Sequence, residues 1–137
     1  RPDLSGLGPR EVVHTYYQAM DRLDLELIDE LFYRGAGREL RRELASLYVM
    51  RKMRTAYGGD LSSPDMDADV LMLEGLVITP EGNGETPVYR ADYRRVLQPG
   101  DETVIEDVEE TIYLHKKHDR WYITRSVRRS ADSSDTR

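Results

Sequence analysis

The stretch at residues 86–127, TPVYRADYRRVLQPGDETVIEDVEETIYLHKKHDRWYITRSV, decides the fold of this chain. Its β-branched and aromatic residues alternate with charged ones at a period of two, which is typical of strands with one buried and one solvated face. Turn-forming residues divide it at positions 99–102 and 118–120. The stretch therefore predicts three successive antiparallel strands.

The first of these turns predicts the register of the hairpin around it. A four-residue loop at 99–102 places Gln98 opposite Thr103, and this register brings the apolar residues of both strands onto one face. A slip of one residue would instead place Tyr93 opposite Asp107. The predicted buried face comprises Tyr89, Ala91, Tyr93, Leu97, Val104, Val108, Ile112 and Leu114, joined by Trp121, Ile123 and Val127 of the last strand.

Four charged residues fall on the same predicted face: Arg95, Glu106, Glu110 and Arg125. The register places Arg95 and Glu106 directly opposite each other near the end of the sheet. A partly exposed ion pair, worth about 0–1 kcal/mol, is the ordinary explanation for such a pair.

Glu110 is the main candidate for a functional residue. The register places it opposite Ala91, between the diagonal neighbours Tyr89 and Tyr93, with Arg125 on the next strand. A carboxylate opposite so small a residue predicts open space beside it. A structural ion pair among tyrosines that fill the core fits the same residues, and the sequence leaves both interpretations open.

The preceding strand, DVLMLEGLVIT at residues 69–79, offers a second carboxylate. Its nearly continuous apolar run predicts burial on both faces. One face carries Val70, Met72, Glu74, Leu76 and Ile78, and the other carries Leu71, Leu73 and Val77. If the first set points inward, Glu74 approaches Ala91 from the side opposite Glu110. The second set is equally apolar, so both orientations stay open.

Three helices are predicted before the sheet. Pro9 suits the first turn of one helix, Asp24 suits the N-cap of a second, and a third runs from about Arg38 to Tyr57, before a Gly-Gly stop. The predicted inward residues are Val13, Tyr16, Tyr17, Met20 and Leu23, then Leu27, Ile28, Leu31 and Phe32, then Leu40, Leu44, Leu47 and Tyr48 with Met50 or Met53. We expect the arginines of the third helix to point mostly outward.

Length and composition indicate one folded domain. The 137 residues, of which 34% are charged, suit a single core at residues 9–129, after an extension at 1–8 and before a tail at 130–137 that we expect to be disordered. The chain has no cysteine, which excludes disulfides and cysteine metal sites. No apolar run approaches the length of a transmembrane segment.

The net charge of −6 argues against a nucleic-acid-binding surface over the whole molecule, although the charge is unevenly distributed. Residues 34–54 carry seven Lys or Arg and two Glu, whereas residues 60–110 carry fourteen acidic residues and three Arg. Either a basic helix lies near an acidic sheet, or the asymmetry steers a partner or ligand.

Three helices precede the long strands, the chain opens with PREVVHTYYQAMDRLDLELIDELF, and it closes with HDRWYITR. In these features it resembles the NTF2-like family, also called cystatin-like or SnoaL-type, over residues 9–128. The resemblance implies an α+β fold in which N-terminal helices pack on a curved antiparallel sheet, forming a cone with a pocket at its open end. It also implies that Tyr16, Tyr17 and Met20 face the sheet near Trp121.

The resemblance is closest in character to bacterial secreted or lipid-anchored NTF2-like proteins of unassigned role. The chain begins at Arg1 rather than at a methionine, which indicates a processed or excised product. We therefore expect a bacterial protein located outside the cytoplasm, either secreted or lipid-anchored.

The first functional hypothesis is a non-catalytic domain that binds a small polar or amphipathic ligand or a protein partner. A pocket with aromatic walls and a few convergent polar groups is the usual form of such a site. The candidate pocket residues are Glu110, Arg125, Tyr89, Tyr93, Tyr17 and Glu74.

The second hypothesis, implied by the steroid-isomerase-like and SnoaL-like branches of the family, is an enzyme. Glu110 or Glu74 would be its general base, and Tyr93 or Tyr16 would donate a hydrogen bond to the developing oxyanion. The chain lacks the inward Asp–His pairing of the enzymatic members, which favours the first hypothesis.

A third hypothesis is a structural or dimerisation module that uses the outer face of the sheet. Metal binding is not predicted: Asp65, Asp67 and Asp69 alternate, but they lack the glycine and the distal glutamate of an EF-hand. The sequence predicts neither a metal nor a cofactor.

Overall fold

In a computed structural model, three helices precede a four-stranded antiparallel sheet, which confirms the predicted α+β arrangement of N-terminal helices packed on a curved sheet. The structure describes residues 3–58, 70–82, 85–98 and 102–132. The helices are α1 (Pro9–Arg22), α2 (Leu25–Leu31) and α3 (Arg38–Gly58), after a single 3-10 turn at Leu4–Gly6. The strands are β1 (Leu71–Pro80), β2 (Val88–Leu97), β3 (Val104–Lys117) and β4 (Arg120–Asp132), in that spatial order.

The first two helices begin where the sequence predicts. Pro9 occupies the first turn of α1, and Glu11 Oε1 accepts a hydrogen bond from the Gly8 N–H at 2.8 Å. Asp24 Oδ1 accepts from the Leu27 N–H at 3.1 Å and caps α2. The predicted inward residues of both helices are all buried. These helices therefore supply much of the core that faces the sheet.

α3 has a narrower buried face than predicted. Leu40, Leu44 and Leu47 are buried, and Met50 packs partly against the core. Tyr48 is 38% exposed, so the prediction that it points inward is wrong.

Two arginines of α3 also differ from the expected outward orientation. Arg51 Nη1 donates to the carbonyl oxygen of Arg22 at 3.0 Å, and Arg54 Nη2 donates to the carbonyl oxygen of Gln98 at 2.6 Å. These bonds tie α3 to the end of α1 and to the end of β2.

The predicted register of the β2–β3 hairpin is confirmed. Leu97 pairs with Val104, and Ala91 pairs with Glu110. The inner face of these strands meets the helices, and five of its apolar residues are buried: Ala91, Tyr93, Val108, Ile112 and Leu114. Because the side chains alternate, Asp92 and Glu109 lie on the outer face.

β1 is an edge strand, and the prediction that both of its faces are buried is wrong. Gly75, at φ +66°, forms a β-bulge with Leu76, and the register shifts between Glu74 and Val77. Leu71, Leu73 and Ile78 therefore pack on the core, which matches neither complete set expected from strict alternation. Most of the strand is exposed because it pairs on one side only, with β2.

Both ends of the chain extend the fold beyond the predicted domain boundaries. Leu4 is buried in the core. At the other end, Ser130 pairs with Val108 and Asp132 with Glu106, so the expectation of a disordered tail from Ser130 is wrong for residues 130–132. In the part of the chain that the structure describes, the helices are too short or too polar to cross a bilayer.

The close packing of Gly37 on Phe32 yields a test of this fold. A Cβ at position 37 would lie 2.7–2.9 Å from three ring carbons of Phe32. We expect Gly37→Ala to lower the free energy of unfolding by about 1–3 kcal/mol, as overpacking usually does. Urea denaturation measures this change. Gly6→Ala is the matched control, since a Cβ there meets nothing within 4 Å; equal effects of the two changes would contradict the packing.

Candidate functional site

The carboxylate of Glu110 is the centre of the inner face. It is 1% exposed and accepts three hydrogen bonds from tyrosine hydroxyls. Tyr16 donates to Oε2 at 2.6 Å, while Tyr17 and Tyr93 donate to Oε1 at 2.7 Å and 3.1 Å. We call these four residues the tyrosine–carboxylate cluster.

The local structure of α1 and β2 brings the three hydroxyls together. Tyr16 and Tyr17 are neighbours on α1, and their ring centroids are 4.7 Å apart. The ring of Tyr93, on the strand next to Glu110, meets Tyr17 edge to face at 5.4 Å. Such aromatic pairs stabilise a fold by about 0.5–1.5 kcal/mol beyond the stabilisation that burial of the rings provides. The sheet therefore holds α1 by aromatic packing and by charge-assisted hydrogen bonds together.

Burial raises the pKa of each tyrosine in this cluster, and the negative charge of Glu110 raises it further. Both effects disfavour the phenolate form of Tyr16, Tyr17 and Tyr93. The three hydroxyls consequently stay protonated and remain hydrogen-bond donors throughout the neutral pH range.

A second set of charged side chains lies beside this cluster. The predicted Arg95–Glu106 pair is confirmed, with Nη2 2.6 Å from Glu106 Oε1, but Arg95 is only 4% exposed. Glu43 of α3 completes the set, since its Oε2 is 3.1 Å from Arg95 Nη1 and its Oε1 accepts from Arg128 Nη2 at 2.5 Å. We call these four residues the arginine–glutamate bridge.

The bridge favours the charged forms of its members. Burial opposes ionisation of Glu43, but the hydrogen bond and charge of Arg128, together with Arg95, hold its pKa below the usual value. Burial likewise works against the charge of Arg128, yet Glu43 raises the pKa of that guanidinium. The carboxylate of Glu43, which binds Arg95 and Arg128 of the sheet, thus fixes α3 to the sheet.

The prediction that Arg125 lies beside Glu110 is wrong. A bulge between Tyr113 and Leu114 leaves Thr124 as an extra residue on β4 and moves the following residues by one position. Arg125 is consequently exposed on the outer face, where its guanidinium carbon lies 5.3 Å from the ring centroid of Tyr113. Arg128 takes the place opposite Glu110.

The same bulge changes the position of Val127, for which the sequence predicts an inward side chain. Val127 pairs with Thr111 and is exposed, so this prediction is also wrong. The final turn that precedes the bulge is tight, since Lys117 pairs with Arg120 and both intervening residues, His118 and Asp119, have positive φ. This pattern is typical of a two-residue hairpin loop.

The remaining candidate residues lie in different places. Tyr89 is on the inner face, where it pairs with Ile112 and packs partly against the core. Glu74 pairs with Arg94 on the outer face and is exposed, so it does not approach Ala91. The inner face thus brings together Glu110, Tyr93 and Tyr17 of the predicted set, with Tyr89 nearby.

A half-open cavity of about 570 Å³ lies between the start of α3 and the inner face of β3 and β4. Glu110 reaches its wall, so the tyrosine–carboxylate cluster adjoins the cavity but does not fill it. The lining residues are Gly35, Ala36, Gly37, Arg38, Glu39, Leu40, Glu43, Glu110, Ser126 and Arg128. We call this space the mouth cavity.

Of the residues that line this cavity, sequence reasoning singled out Glu110 and missed the others, including Glu43 and Arg128. Glu43 follows Leu40 by three residues and precedes Leu47 by four, so its place beside the buried stripe could have been inferred from the 3.6-residue period. Arg128 could not have been placed, because no residue pattern marks the bulge at Thr124.

The arrangement is poorly suited to proton abstraction by Glu110. Tyrosine hydroxyls already take three of the roughly four acceptor positions of its carboxylate, and the residue is almost fully buried, so little room is left for a substrate C–H group. The three histidines do not provide a general base in the mouth cavity, because His14, His115 and His118 are all exposed and none lines it. The site can hold a molecule by hydrogen bonds and charge.

The described residues include no group of three or more His, Asp or Glu side chains that converge as metal ligands do. Asp65, Asp67 and Asp69, which the sequence places in an acidic loop, lie outside the described residues.

Comparison with known proteins gives no assignment: no protein-family model matches the chain, and no curated protein is similar enough to be matched to it. A function must therefore be inferred from the geometry of the site itself.

The tyrosine–carboxylate cluster predicts that Glu110→Gln lowers stability. A hydrogen bond to a charged group contributes about 1.5–3 kcal/mol and one between neutral groups about 0.5–1.5 kcal/mol. The lower cost of burying a neutral amide offsets part of the loss from three weaker bonds, so we expect a net loss of about 1–3 kcal/mol in the free energy of unfolding. Glu109→Gln is the matched control, because Glu109 is the adjacent carboxylate on the outer face. A Glu110→Gln variant as stable as the native chain would show that the three bonds add little.

The raised tyrosine pKa values predict a steep loss of stability in alkali. A tyrosine whose pKa is higher in the folded state than in the unfolded state stabilises the fold. This stabilisation is complete below about pH 10, the ordinary tyrosine pKa, and is lost as the pH rises above that value. Each such tyrosine lowers the free energy of unfolding by up to about 1.4 kcal/mol per pH unit. Three of them therefore lower it by at most about 4 kcal/mol per pH unit. Urea titrations at several alkaline pH values measure this slope. Tyr17→Phe should reduce it by about a third; an unchanged slope would contradict the assignment.

Proposed function

We propose that this chain is a non-catalytic domain of the NTF2-like type that binds a small polar ligand in the mouth cavity. The observation that carries the proposal is that several polar side chains in the cavity wall have no hydrogen-bond or ion-pair partner among the described residues. Within the described ranges, the side chains of Arg38, Glu39 and Ser126 make no hydrogen bond or ion pair. A polar ligand would provide them with partners, which is how pockets obtain specificity from a few polar groups.

The charges of the cavity wall favour a neutral or zwitterionic ligand. Two arginines, Arg38 and Arg128, face three glutamates, Glu39, Glu43 and Glu110. Arg128 and Glu43 already neutralise each other. A strongly charged ligand of either sign would therefore meet repulsion as well as attraction, whereas a molecule with separate donor and acceptor groups would suit both kinds of side chain.

The order of the elements supports the NTF2-like part of the proposal. Three helices precede four antiparallel strands, and α1 packs on the inner face of the sheet through Tyr16 and Tyr17. The interior next to α1 is occupied by the chain's own side chains. In this proposal the ligand therefore binds at the rim, between α3 and β4, and Glu110 holds the tyrosines in place.

The experiment is to obstruct the cavity without disturbing either polar cluster. Ser126→Leu adds apolar volume to the cavity wall, while Val127→Leu introduces the same leucine side chain at the next residue, on the outer face. The probes are free amino acids, sugars and small amides, tested by thermal shift, together with native mass spectrometry of the freshly purified chain.

We expect at least one probe class to raise the melting temperature of the native chain and of Val127→Leu but not of Ser126→Leu. At a ligand concentration of one hundred times Kd the stabilisation is about 2.7 kcal/mol, which a thermal shift detects easily. An equal shift in Ser126→Leu, or the absence of both a shift and a retained mass in the native chain, would contradict the mouth cavity as a binding site.

A further inference from the structure

The exposed large apolar side chains are concentrated in two patches. Among the described residues, seven such side chains are exposed, and six belong to α3 or β1. The α3 patch comprises Tyr48, Val49 and Met53. The β1 patch comprises Met72, Leu76 and Val77. Grouped exposed apolar residues mark interaction sites more often than single ones do.

The α3 patch lies on the side of the helix that faces away from the core. With 3.6 residues per turn, Val49 and Met53 follow each other along one stripe, opposite the buried Leu44 and Leu47. Lys52 is exposed on the same side, where it stacks on the Tyr48 ring at 5.5 Å. This patch is therefore apolar and basic.

The β1 patch has the opposite charge. Met72, Glu74 and Val77 follow one another on the outer face, since their partners Val96, Arg94 and Asp92 alternate in register along β2. Glu74 has no ion pair within the described chain, because Arg94 opposite it binds Asp107 at 3.1 Å. This patch is therefore apolar and acidic.

An open groove begins at the bulge of β1. It measures about 850 Å³ and runs across the outer face of the sheet from Glu74 and Gly75 toward β4. Gly75 has no side chain, and even a Cβ there would meet nothing within 4 Å. The groove thus provides room for the side chains of another molecule beside the β1 patch.

The two patches face in different directions. The α3 patch points away from the sheet on which the helices pack, and the β1 patch points away from the helices. Each patch carries apolar side chains beside a charge of the opposite sign, Lys52 on α3 and Glu74 on β1. Since both patches are exposed, a second copy of the chain can bring one against the other.

We propose that α3 of one copy packs on the outer face of β1 of the next, with Val49 and Met53 against Met72 and Val77 and with Lys52 near Glu74. Such a head-to-tail contact uses a different surface on each copy, so it continues until it closes into a ring or forms a filament. The contact lies on the outer surfaces of both layers and is independent of the mouth cavity.

Two variants test the contact, each removing one side of it. Val49→Glu places a carboxylate in the α3 patch, where it would face Glu74, and Val77→Glu places one in the β1 patch. Val127→Glu is the matched control, because Val127 is an exposed strand valine outside both patches. Circular dichroism verifies folding, and sedimentation measures mass against concentration.

We expect the native chain and Val127→Glu to exceed dimer mass as the concentration rises, and each patch variant to associate at least about tenfold more weakly. An equimolar mixture of Val49→Glu and Val77→Glu should form a complex of two chains and stop there, since one intact contact remains. A native chain that stays monomeric to millimolar concentration, a mixture that stays monomeric, or a control that dissociates as strongly as the variants would each overturn the proposal.

Discussion

The position of α1 on the sheet depends on one buried carboxylate. Glu110 is almost fully excluded from water, and a carboxylate in that position is strongly unfavourable unless it is hydrogen-bonded. Two of its three donors come from α1 and one from β2. A rotation or translation of α1 would leave both the carboxylate and the hydroxyls without partners, so this cluster restrains the orientation of the helix more narrowly than apolar contacts alone could.

The cluster also explains why the interior is filled while the rim stays open. Ala91 pairs with Glu110, and the hydroxyls of Tyr16, Tyr17 and Tyr93 converge on that carboxylate. The residue pattern shows that a small residue faces a carboxylate, but it does not decide whether a ligand or the chain's own side chains use the space. The resemblance implies that both tyrosines of α1 face the sheet; their convergence on a single carboxylate depends on the distance between the layers, which no residue pattern encodes.

The pairing of β2 with β3 can be predicted from the sequence, whereas the positions of the two bulges cannot, and the difference has a physical reason. Alternation and loop length fix the pairing of Ala91 with Glu110, because a slip by one residue would expose a whole apolar face. The bulges at Gly75 and Thr124 break the alternation: the first places Ile78 on the face opposite Glu74, and the second places Arg125 on the outer face. Glycine at position 75 gives a weak signal of a bulge, whereas threonine at 124 gives none, and for that reason strict alternation predicts Arg125 where Arg128 lies.

α3 shows how polar contacts choose between two possible buried faces. The helix carries apolar residues on opposite sides, so hydrophobicity alone does not determine which side packs on the core. Its polar contacts do, because Glu43 binds both Arg95 and Arg128, and Arg54 binds the carbonyl oxygen of Gln98. Rotating the helix by half a turn would bury the Val49 side but would leave these charges without partners, at a cost of several kcal/mol for each buried ion. The bridge thereby keeps the second apolar side of α3 outward and available to another molecule.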